Sequence, residues 1–308
     1  MPHPDLPPPG HEHLALHGWS GRWEEVARRL FAVPGDLVAA PYCALLLADP
    51  DRGDVLVIER DAPGASRTRN LGRSCPVPDE LPGHLAELVI GGAPAAGTAA
   101  ALAAAVGGLA GLGTTPAPPT ARGAFGHPLR HYPEDGRLTA YVLAARRDGE
   151  RYVPEGFARG PAREPGWELY TVTGLRRTAA GTLYGLPRET VRRENRLLFL
   201  RAEGAGEIHH FVRDPAAPAS VTVRVTVLTA PASDGLLARC LAAVSRGDHP
   251  DERAAGVRAV LDGLGPWEVS GPSLAPISPR GLFGRPLDAR GAERPATADT
   301  VGAAVLVY

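Results

Sequence analysis

The chain of 308 residues contains no lysine and no glutamine, so all 33 of its basic residues are arginine. Without lysine the protein cannot form a Schiff base with a substrate, anchor pyridoxal phosphate covalently or use the lysine of a P-loop. Any bound anion must instead be held by arginine, a helix N-terminus or backbone amides. The abundance of alanine, glycine, proline and arginine is typical of a GC-rich genome, and an actinobacterial source fits it.

Cysteine is also scarce. The chain has three cysteines, at Cys43, Cys75 and Cys240. They are far apart and form no CxxC pair, which argues against a disulfide framework or structural zinc and favours a reducing cytoplasm. His11, His13 and His17 lie close together, but no acidic or cysteine partner follows at a metal-ligand spacing. We therefore expect no metal site.

Net charge and long apolar runs are lacking as well. The formal net charge is -1, which gives no reason to expect nucleic-acid binding. Residues 1–11 are rich in proline and predict a flexible lead-in. We do not expect a signal peptide there, because no basic segment is followed by an apolar core. The longest apolar stretch, around residues 95–112, is broken by glycines and predicts no membrane span. We therefore expect a cytoplasmic protein that binds neither nucleic acid nor membrane.

One stretch of the sequence occurs twice. RGAFGHPL at 122–129 and RGLFGRPL at 280–287 follow the same pattern, RGxFGxPL. Other blocks match in the same order at similar offsets, namely LFAVPGDLV with LYGLPRETV, CALLLADPDRGDVLVIERD with RLLFLRAEGAGEIHHFVRD, and LAGLG with LDGLG. We therefore predict two homologous repeats, at 12–150 and 165–308. A linker rich in glycine, proline and charge, at 151–164, would join them.

Each predicted repeat has the same order of elements. A strand comes first, a strand hairpin follows, and then come helices, the RGxFGxPL segment and a closing strand. This order predicts an α+β fold in which each repeat is a mostly antiparallel sheet with helices packed on one face, the two repeats being related by a pseudo-twofold axis. The closing segment at 301–308, VGAAVLVY, is so apolar that we expect it inside the sheet.

The repeated RGxFGxPL segment has two interpretations. As a packing turn, it would use its glycines for close backbone approach and its aromatic side chain to fill the core. As a binding loop, it would place Arg122 and Arg280 in equivalent pockets, where each holds a substrate carboxylate or phosphate. We favour the packing turn, because functional loops usually diverge between duplicated halves.

The sharpest local pattern is HHFVRD, at 209–214. It resembles the HHxxxD motif of the condensation-domain and chloramphenicol-acetyltransferase-like acyltransferases. The resemblance implies that His210 is the general base and that Asp214 organises the site, with His209 and Arg213 near the substrate; histidine suits proton transfer near neutral pH. Alternatively, the Arg–Asp pair is a repeat feature, since repeat one has the same pair. Neighbouring side chains on a strand face opposite ways, so only one of the histidines can enter a pocket.

A second local pattern is RTRNLGRSCPVPDEL, at 67–81. It is similar to the arginine-rich N-terminal segment of flavin nitroreductases, whose arginines hold the flavin phosphate. The resemblance implies that Arg67, Arg69 and Arg73 could hold a flavin. The alternative is a surface loop in which these arginines are solvated. The sequence therefore leaves the cofactor open.

Two functions from different classes follow from these patterns. The first is a small-molecule biosynthetic enzyme of actinobacterial specialised metabolism, a transferase carrying out acyl transfer or condensation in a pocket in or near repeat two. The second is a non-catalytic ligand-binding or assembly protein built from the duplicated unit. The enzyme requires His210, Arg213 and Asp214 to converge in one pocket, whereas the binding protein requires solvent-facing histidines and shallow pockets. A homodimer is compatible with either function.

Overall fold

The molecule is built from strands and helices in both halves of the chain. A computed structural model describes residues 12–33, 35–40, 42–49, 51–60, 68–73, 77–93, 95–107, 114–115, 120–147, 166–202, 205–213, 222–289 and 300–308. The first half contains β1 (Glu12–Arg22), α1 (Trp23–Phe31), α2 (Gly35–Val38), β2 (Tyr42–Ala48), β3 (Gly53–Arg60), β4 (Thr68–Arg73), α3 (Leu81–Ile90), α4 (Ala95–Ala105), β5 (Thr114–Thr115), α5 (Ala121–Leu129) and β6 (Arg137–Arg147). The second contains β7 (Glu168–Leu175), α6 (Arg176–Tyr184), α7 (Arg188–Arg192), β8 (Asn195–Ala202), β9 (Ala205–Arg213), β10 (Thr222–Pro231), α8 (Leu236–Arg246), α9 (Pro250–Leu261), β11 (Glu268–Pro276), α10 (Pro279–Ala289) and β12 (Thr300–Val307).

All of these strands join one antiparallel sheet. The strand order is β11-β10-β9-β8-β12-β7-β1-β6-β2-β3-β4-β5, and the α+β class with a mainly antiparallel sheet is confirmed. β1 pairs with β6 on one side and with β7 on the other, so the sheet continues from one half of the chain into the other. The closing strand β12 lies between β7 and β8, as its apolar sequence predicts.

The two halves of the chain use the same sequence of elements. From β1 to β6 and again from β7 to β12, the order is strand, two helices, three strands, two helices, strand, helix, strand. In the sheet, each set also runs outward from the central β1–β7 pair in one order, which is first strand, last strand and then the remaining four in chain order.

Helices cover both faces of the sheet, so the prediction of helices on one face is wrong. One core layer takes side chains from α1, α5, α6 and α10, and the other takes them from α3, α4, α8 and α9. Along β2, Cys43, Leu45 and Leu47 enter the first layer and the intervening residues enter the second. A strand that is apolar on both faces needs cover on both faces. The uninterrupted apolar run YCALLLA of β2 therefore indicates a strand that is covered on both faces.

The RGxFGxPL segments are helical, so the prediction of a turn is also wrong. They form α5 and most of α10. The hydroxyl of Thr120 accepts a hydrogen bond from the Gly123 amide at 3.2 Å, and the Ser278 hydroxyl accepts one from the Gly281 amide at 3.0 Å. Such contacts are typical of helix N-termini. The aromatic side chain fills the core, but it does so from a helix. Phe125 and Phe283 are both fully buried.

Candidate functional site

The histidine pair of the HHxxxD pattern lies on β9, and its two side chains face opposite layers. His209 lies opposite Leu198 of β8 and Thr229 of β10. His210 lies opposite Leu197 and Leu228 on the same two strands. Since Leu198 and Leu197 belong to different core layers, the two rings are separated by the sheet. They cannot act on one substrate together.

His209 is held in place by its neighbours. Its side chain is buried, its Nδ1 lies 3.1 Å from the Thr229 hydroxyl, and its Nε2 lies 3.4 Å from the Glu207 carboxylate. Glu207 and Thr229 lie on the same face of the sheet, two positions along and one strand across. These contacts fix the orientation of the ring, which suits a structural histidine as well as a ligand-binding one.

His210 is half-buried beneath the helical layer of α8 and α9. Burial, together with the positive charges of Arg196 and Arg258, lowers the pKa of His210 to about 4. A general base works best when its pKa lies near the operating pH. At neutral pH this ring is therefore uncharged and weakly basic, which is a poor match to the role that the motif implies.

Of the charged residues of that pattern, only Arg213 lies within the described part of the chain, at the end of β9. Arg213 is partly exposed and lies opposite Val225 of β10. Asp214 lies outside the described residues, as do Arg67 of the flavin-like segment and the linker at 151–164. Arg69 and Arg73 of the flavin-like segment lie on β4, which pairs with β3, so a surface loop is wrong for this part of the chain. The cofactor question stays open.

A buried arginine beside the histidine strand was not predicted from the sequence. Arg196 on β8 is fully buried. Its Nη1 donates to the carbonyl oxygens of Val191 and Arg193, each at 2.6 Å, and its Nη2 donates to the carbonyl of Phe211 at 3.4 Å. Burial, with the nearby charge of Arg213, lowers its pKa to about 10. Arg196 therefore ties the end of α7 to β8 and β9.

The two repeated arginines lie over aromatic rings. The guanidinium carbon of Arg122 lies 4.7 Å from the ring centre of Phe31 on α1, and that of Arg280 lies 5.8 Å from the ring centre of Tyr184 on α6. Both arginines are exposed. Arg122 also lines an open groove between α1 and α5. Each arginine thus packs against an aromatic side chain of a neighbouring helix, and the two arginines lie in different halves of the molecule.

A polar cluster at the junction of the two halves was also not predicted. The carboxylate of Glu168 on β7 accepts hydrogen bonds from Arg29 of α1 at 2.8 Å, from the Tyr170 hydroxyl at 2.9 Å and from the Thr190 hydroxyl at 3.3 Å. Trp19 of β1 donates its indole N–H to the Tyr170 hydroxyl at 3.3 Å. We call these five residues the junction cluster. The narrow cleft beside them has room for about one or two water molecules, so the cluster suits a structural tie.

His17 lies in the core next to this cluster. Its ring centre is 5.5 Å from that of Tyr170 and 6.2 Å from that of Trp19. Burial lowers the pKa of His17 to about 4. Within the described part of the chain, no group of three or more histidine, cysteine, aspartate or glutamate side chains could hold a metal ion. Cys43 and Cys240 are buried thiols, and burial raises the pKa of Cys240 to about 12, so that thiol stays protonated.

Three exposed apolar side chains lie on one face at one end of the sheet. We define the edge patch as Val212 of β9 with Val269 and Leu274 of β11, which are 40%, 63% and 70% exposed. Their partners on β10 are Thr226, Leu228 and Arg224. Because those three positions alternate along one strand, they and the edge patch share one face. It is the face of α8 and α9, since Leu228 lies opposite His210, which lies opposite Leu197 of that layer.

Sequence reasoning could not locate the edge patch. Which strand ends the sheet depends on strand order, and the sequence around β11, EVSGPSLAP, has no run of apolar residues. Among the described strands, β11 pairs only with β10 and has no strand on its other side.

In comparisons with known proteins, no family model, no characterised protein and no solved structure matches the chain. No helix in the described ranges is both long enough and apolar enough to cross a membrane. The function therefore has to be argued from the geometry of this chain alone.

Proposed function

We propose that the protein is a non-catalytic binding protein that assembles with another protein at the β11 edge of its sheet. The observation that carries the proposal is the edge patch. Four large apolar side chains are exposed in the described part of the chain, and three of them form this patch; the fourth is Leu175 at the end of β7.

Two physical arguments support the proposal. Exposed apolar side chains that cluster on one surface mark interaction sites, whereas single exposed ones need no explanation. The open edge of a sheet also presents backbone N–H and C=O groups that can pair with another chain. Both features coincide at β11, where Val269 and Leu274 project from the outermost strand.

Acyl transfer or condensation stays a prediction. It requires His210 to act as a base with Asp214 near it, and the latter lies outside the described residues. The separation of His209 from His210 and the low pKa of His210 do not favour that reaction. The binding alternative predicts solvent-facing histidines, and that prediction is wrong for His209, which is buried; binding at the edge patch uses neither histidine.

We also propose that the chain arose by duplication, with repeats at 12–150 and 165–308 related by a pseudo-twofold axis between β1 and β7. The shared order of elements supports this, as does the way in which each half runs outward through the sheet. Equivalent side-chain contacts add support, because Arg122 over Phe31 in one half matches Arg280 over Tyr184 in the other. A duplicated body with one exposed edge patch suits an asymmetric assembly role.

The proposal can be tested by comparing bound partners. Tagged wild-type protein, the double variant Val269→Thr/Leu274→Thr and the control Leu175→Thr would be purified from cells that express the chain. Threonine removes the apolar surface but keeps strand propensity. We expect mass spectrometry to find a polypeptide that co-purifies with the wild type and with the control and is depleted from the double variant. Identical sets of polypeptides with all three proteins would contradict the proposal.

A further inference from the structure

We propose that His127 and His131 together bind a divalent transition-metal ion of the Zn²⁺ class at the C-terminal end of α5. Imidazole suits such ions. Among the described residues, no third histidine, cysteine, aspartate or glutamate completes the site, so water would fill the remaining positions. The site lies in the first half of the chain and the edge patch lies in the second, so this inference goes beyond the proposed function and does not depend on it.

The end of α5 brings the two histidines together. His127 lies in the last turn of the helix. Beyond the helix, the amide of His131 donates to the carbonyl of Pro128 at 3.2 Å, so the chain continues in a helical turn. Residues four apart in such a turn are neighbours on one side of it. The ring centres of His127 and His131 are accordingly 5.1 Å apart, with an angle of 72° between the ring planes.

This separation fits one ion shared by both rings. A zinc–nitrogen bond is about 2.0 to 2.1 Å long, and with about 1.1 Å more to each ring centre, two imidazoles in a tetrahedral arrangement have their ring centres about 5 Å apart. Histidines at i and i+4 on one helix face are a known zinc-binding arrangement. Because His127 and His131 are both exposed, rotation about their side-chain bonds can turn one nitrogen of each ring towards the ion.

The ring nitrogens are free to bind a ligand. Within the part of the chain that the structure describes, the only polar or aromatic contact of either ring is the contact between the two rings themselves. The buried His209 is different, because its ring is already held by the Thr229 hydroxyl and the Glu207 carboxylate. Binding of an ion between His127 and His131 therefore displaces no hydrogen bond of the fold.

The backbone beneath the pair is fixed. Leu129 and Tyr132 are buried on either side of the turn, and the Tyr132 hydroxyl donates to the carboxylate of Asp54 at 2.7 Å. Nη1 of Arg52 donates to the carbonyl of His131 at 3.4 Å. The positive charge of Arg52 is compensated by its ion pair with Asp54. Ligands on a rigid element lose little freedom when an ion binds, which favours affinity.

The histidines are not needed for packing of the RGxFGxPL helix. In the second copy, the residues at the equivalent positions are Arg285 and Ala289. The phenylalanine of the pattern is fully buried in both copies, so α10 packs in the same way without a histidine pair. The pair is also separate from the N-terminal histidines on which the expectation of no metal site depended.

The test is isothermal titration calorimetry with Zn²⁺ at about pH 7.5, where free imidazole is mainly neutral and can bind a metal. The full-length protein would carry His11→Ala/His13→Ala, which removes the His-x-His sequence near the N-terminus. We expect one Zn²⁺ ion per chain with a dissociation constant in the micromolar range. His127→Ala and His131→Ala should each weaken binding about tenfold or more. The control His84→Ala, at an exposed position on α3, should leave binding unchanged.

The position of the ion is tested by chemical modification. Bound Zn²⁺ should protect His127 and His131 from diethyl pyrocarbonate, measured by mass spectrometry of the digested protein, and His84 should stay reactive. Circular dichroism would show that all the variants are folded.

Three results would overturn the inference. Zn²⁺ binding that survives both substitutions would place the ion elsewhere, and binding that only one substitution weakens would mean that the rings do not share it. A dissociation constant of about 1 mM or weaker would mean that there is no built site. All three results leave the proposed function standing, because that function is tested at Val269 and Leu274.

Discussion

At the scale of single residues, burial decides what the polar side chains can do. His17 and His209 attract attention in the sequence and Arg196 does not, but all three side chains are buried in the fold. A buried charge is costly unless hydrogen bonds compensate it. Arg196 meets this need with backbone carbonyls, and His17 meets it by staying neutral.

Replacing Arg196 with methionine should strongly destabilise the protein. The change leaves the carbonyl oxygens of Val191, Arg193 and Phe211 without this donor inside the core. We expect the free energy of unfolding, measured by urea denaturation, to fall by about 3 kcal/mol. Arg177→Met, at an exposed helical position, is the control and should change it by less than about 0.5 kcal/mol. Equal effects of the two substitutions would contradict a stabilising role of the Arg196 hydrogen bonds.

His17 should make stability depend on pH between about 4 and 6.5. The folded-state pKa of His17 is about 4 and its ordinary value is 6.5, so in this window the unfolded chain binds a proton that the folded chain does not. Stability from neutral His17 is thus present above pH 6.5 and is lost as the pH falls towards 4, by about 3 kcal/mol in all.

The measurement is the unfolding free energy of wild type minus that of His17→Leu, followed from pH 7 to pH 4. This difference should decrease as the pH falls. His84→Leu, at an exposed position on α3, is the control substitution. A flat difference for His17 would mean that its folded pKa is not lowered.

At the scale of elements, sequence patterns predict the apolar strands well, but they miss β4, β11 and the helical RGxFGxPL segments. The hairpins β2–β3 and β8–β9 and the central position of β12 follow from apolar runs of strand length. The RGxFGxPL helices do not, because glycine and proline within a short window usually indicate a turn. The missed signal was the Thr120 or Ser278 hydroxyl three residues before a glycine, which starts the helix in each copy.

The RGxFGxPL helices should matter through their aromatic side chains. Phe125 and Phe283 are fully buried, so Phe125→Ala or Phe283→Ala should each cost about 3 to 5 kcal/mol of unfolding free energy. Arg122→Met or Arg280→Met should cost less than about 1 kcal/mol, the scale of an exposed cation–π contact. Thermal and urea unfolding of the four variants would check this. Loss of ligand binding in the arginine variants, without loss of stability, would instead favour the binding-loop interpretation.

The junction cluster should couple helix α1 to strand β7. Arg29 and Glu168 form a nearly buried ion pair at 2.8 Å, and breaking such a pair leaves an uncompensated charge. We expect Glu168→Gln and Arg29→Met each to destabilise the protein by about 3 kcal/mol. The double variant should cost clearly less than the sum, since neither charge is then left alone. Strict additivity of the two effects would show that the pair contributes nothing of its own.

At the scale of the whole molecule, the fold explains why the candidate site is at an edge. Both faces of the central strands are covered by helices, so exposed apolar surface can remain only where that cover ends. The sequence predicts the repeated elements, the antiparallel sheet and the burial of the final strand. It cannot predict that β11 ends the sheet, because strand order is set by contacts between distant segments. The edge patch is therefore visible only in the folded chain.

The most direct test of an edge-bound partner is site-specific photo-cross-linking in cells that express the chain. A photoreactive amino acid would replace Leu274 of the edge patch in one variant, with Leu175 and Arg122 as control positions. We expect an adduct between position 274 and a different polypeptide, with no such adduct from positions 175 and 122. An adduct from position 122 alone, or none from position 274, would contradict this expectation and would direct attention to the groove between α1 and α5.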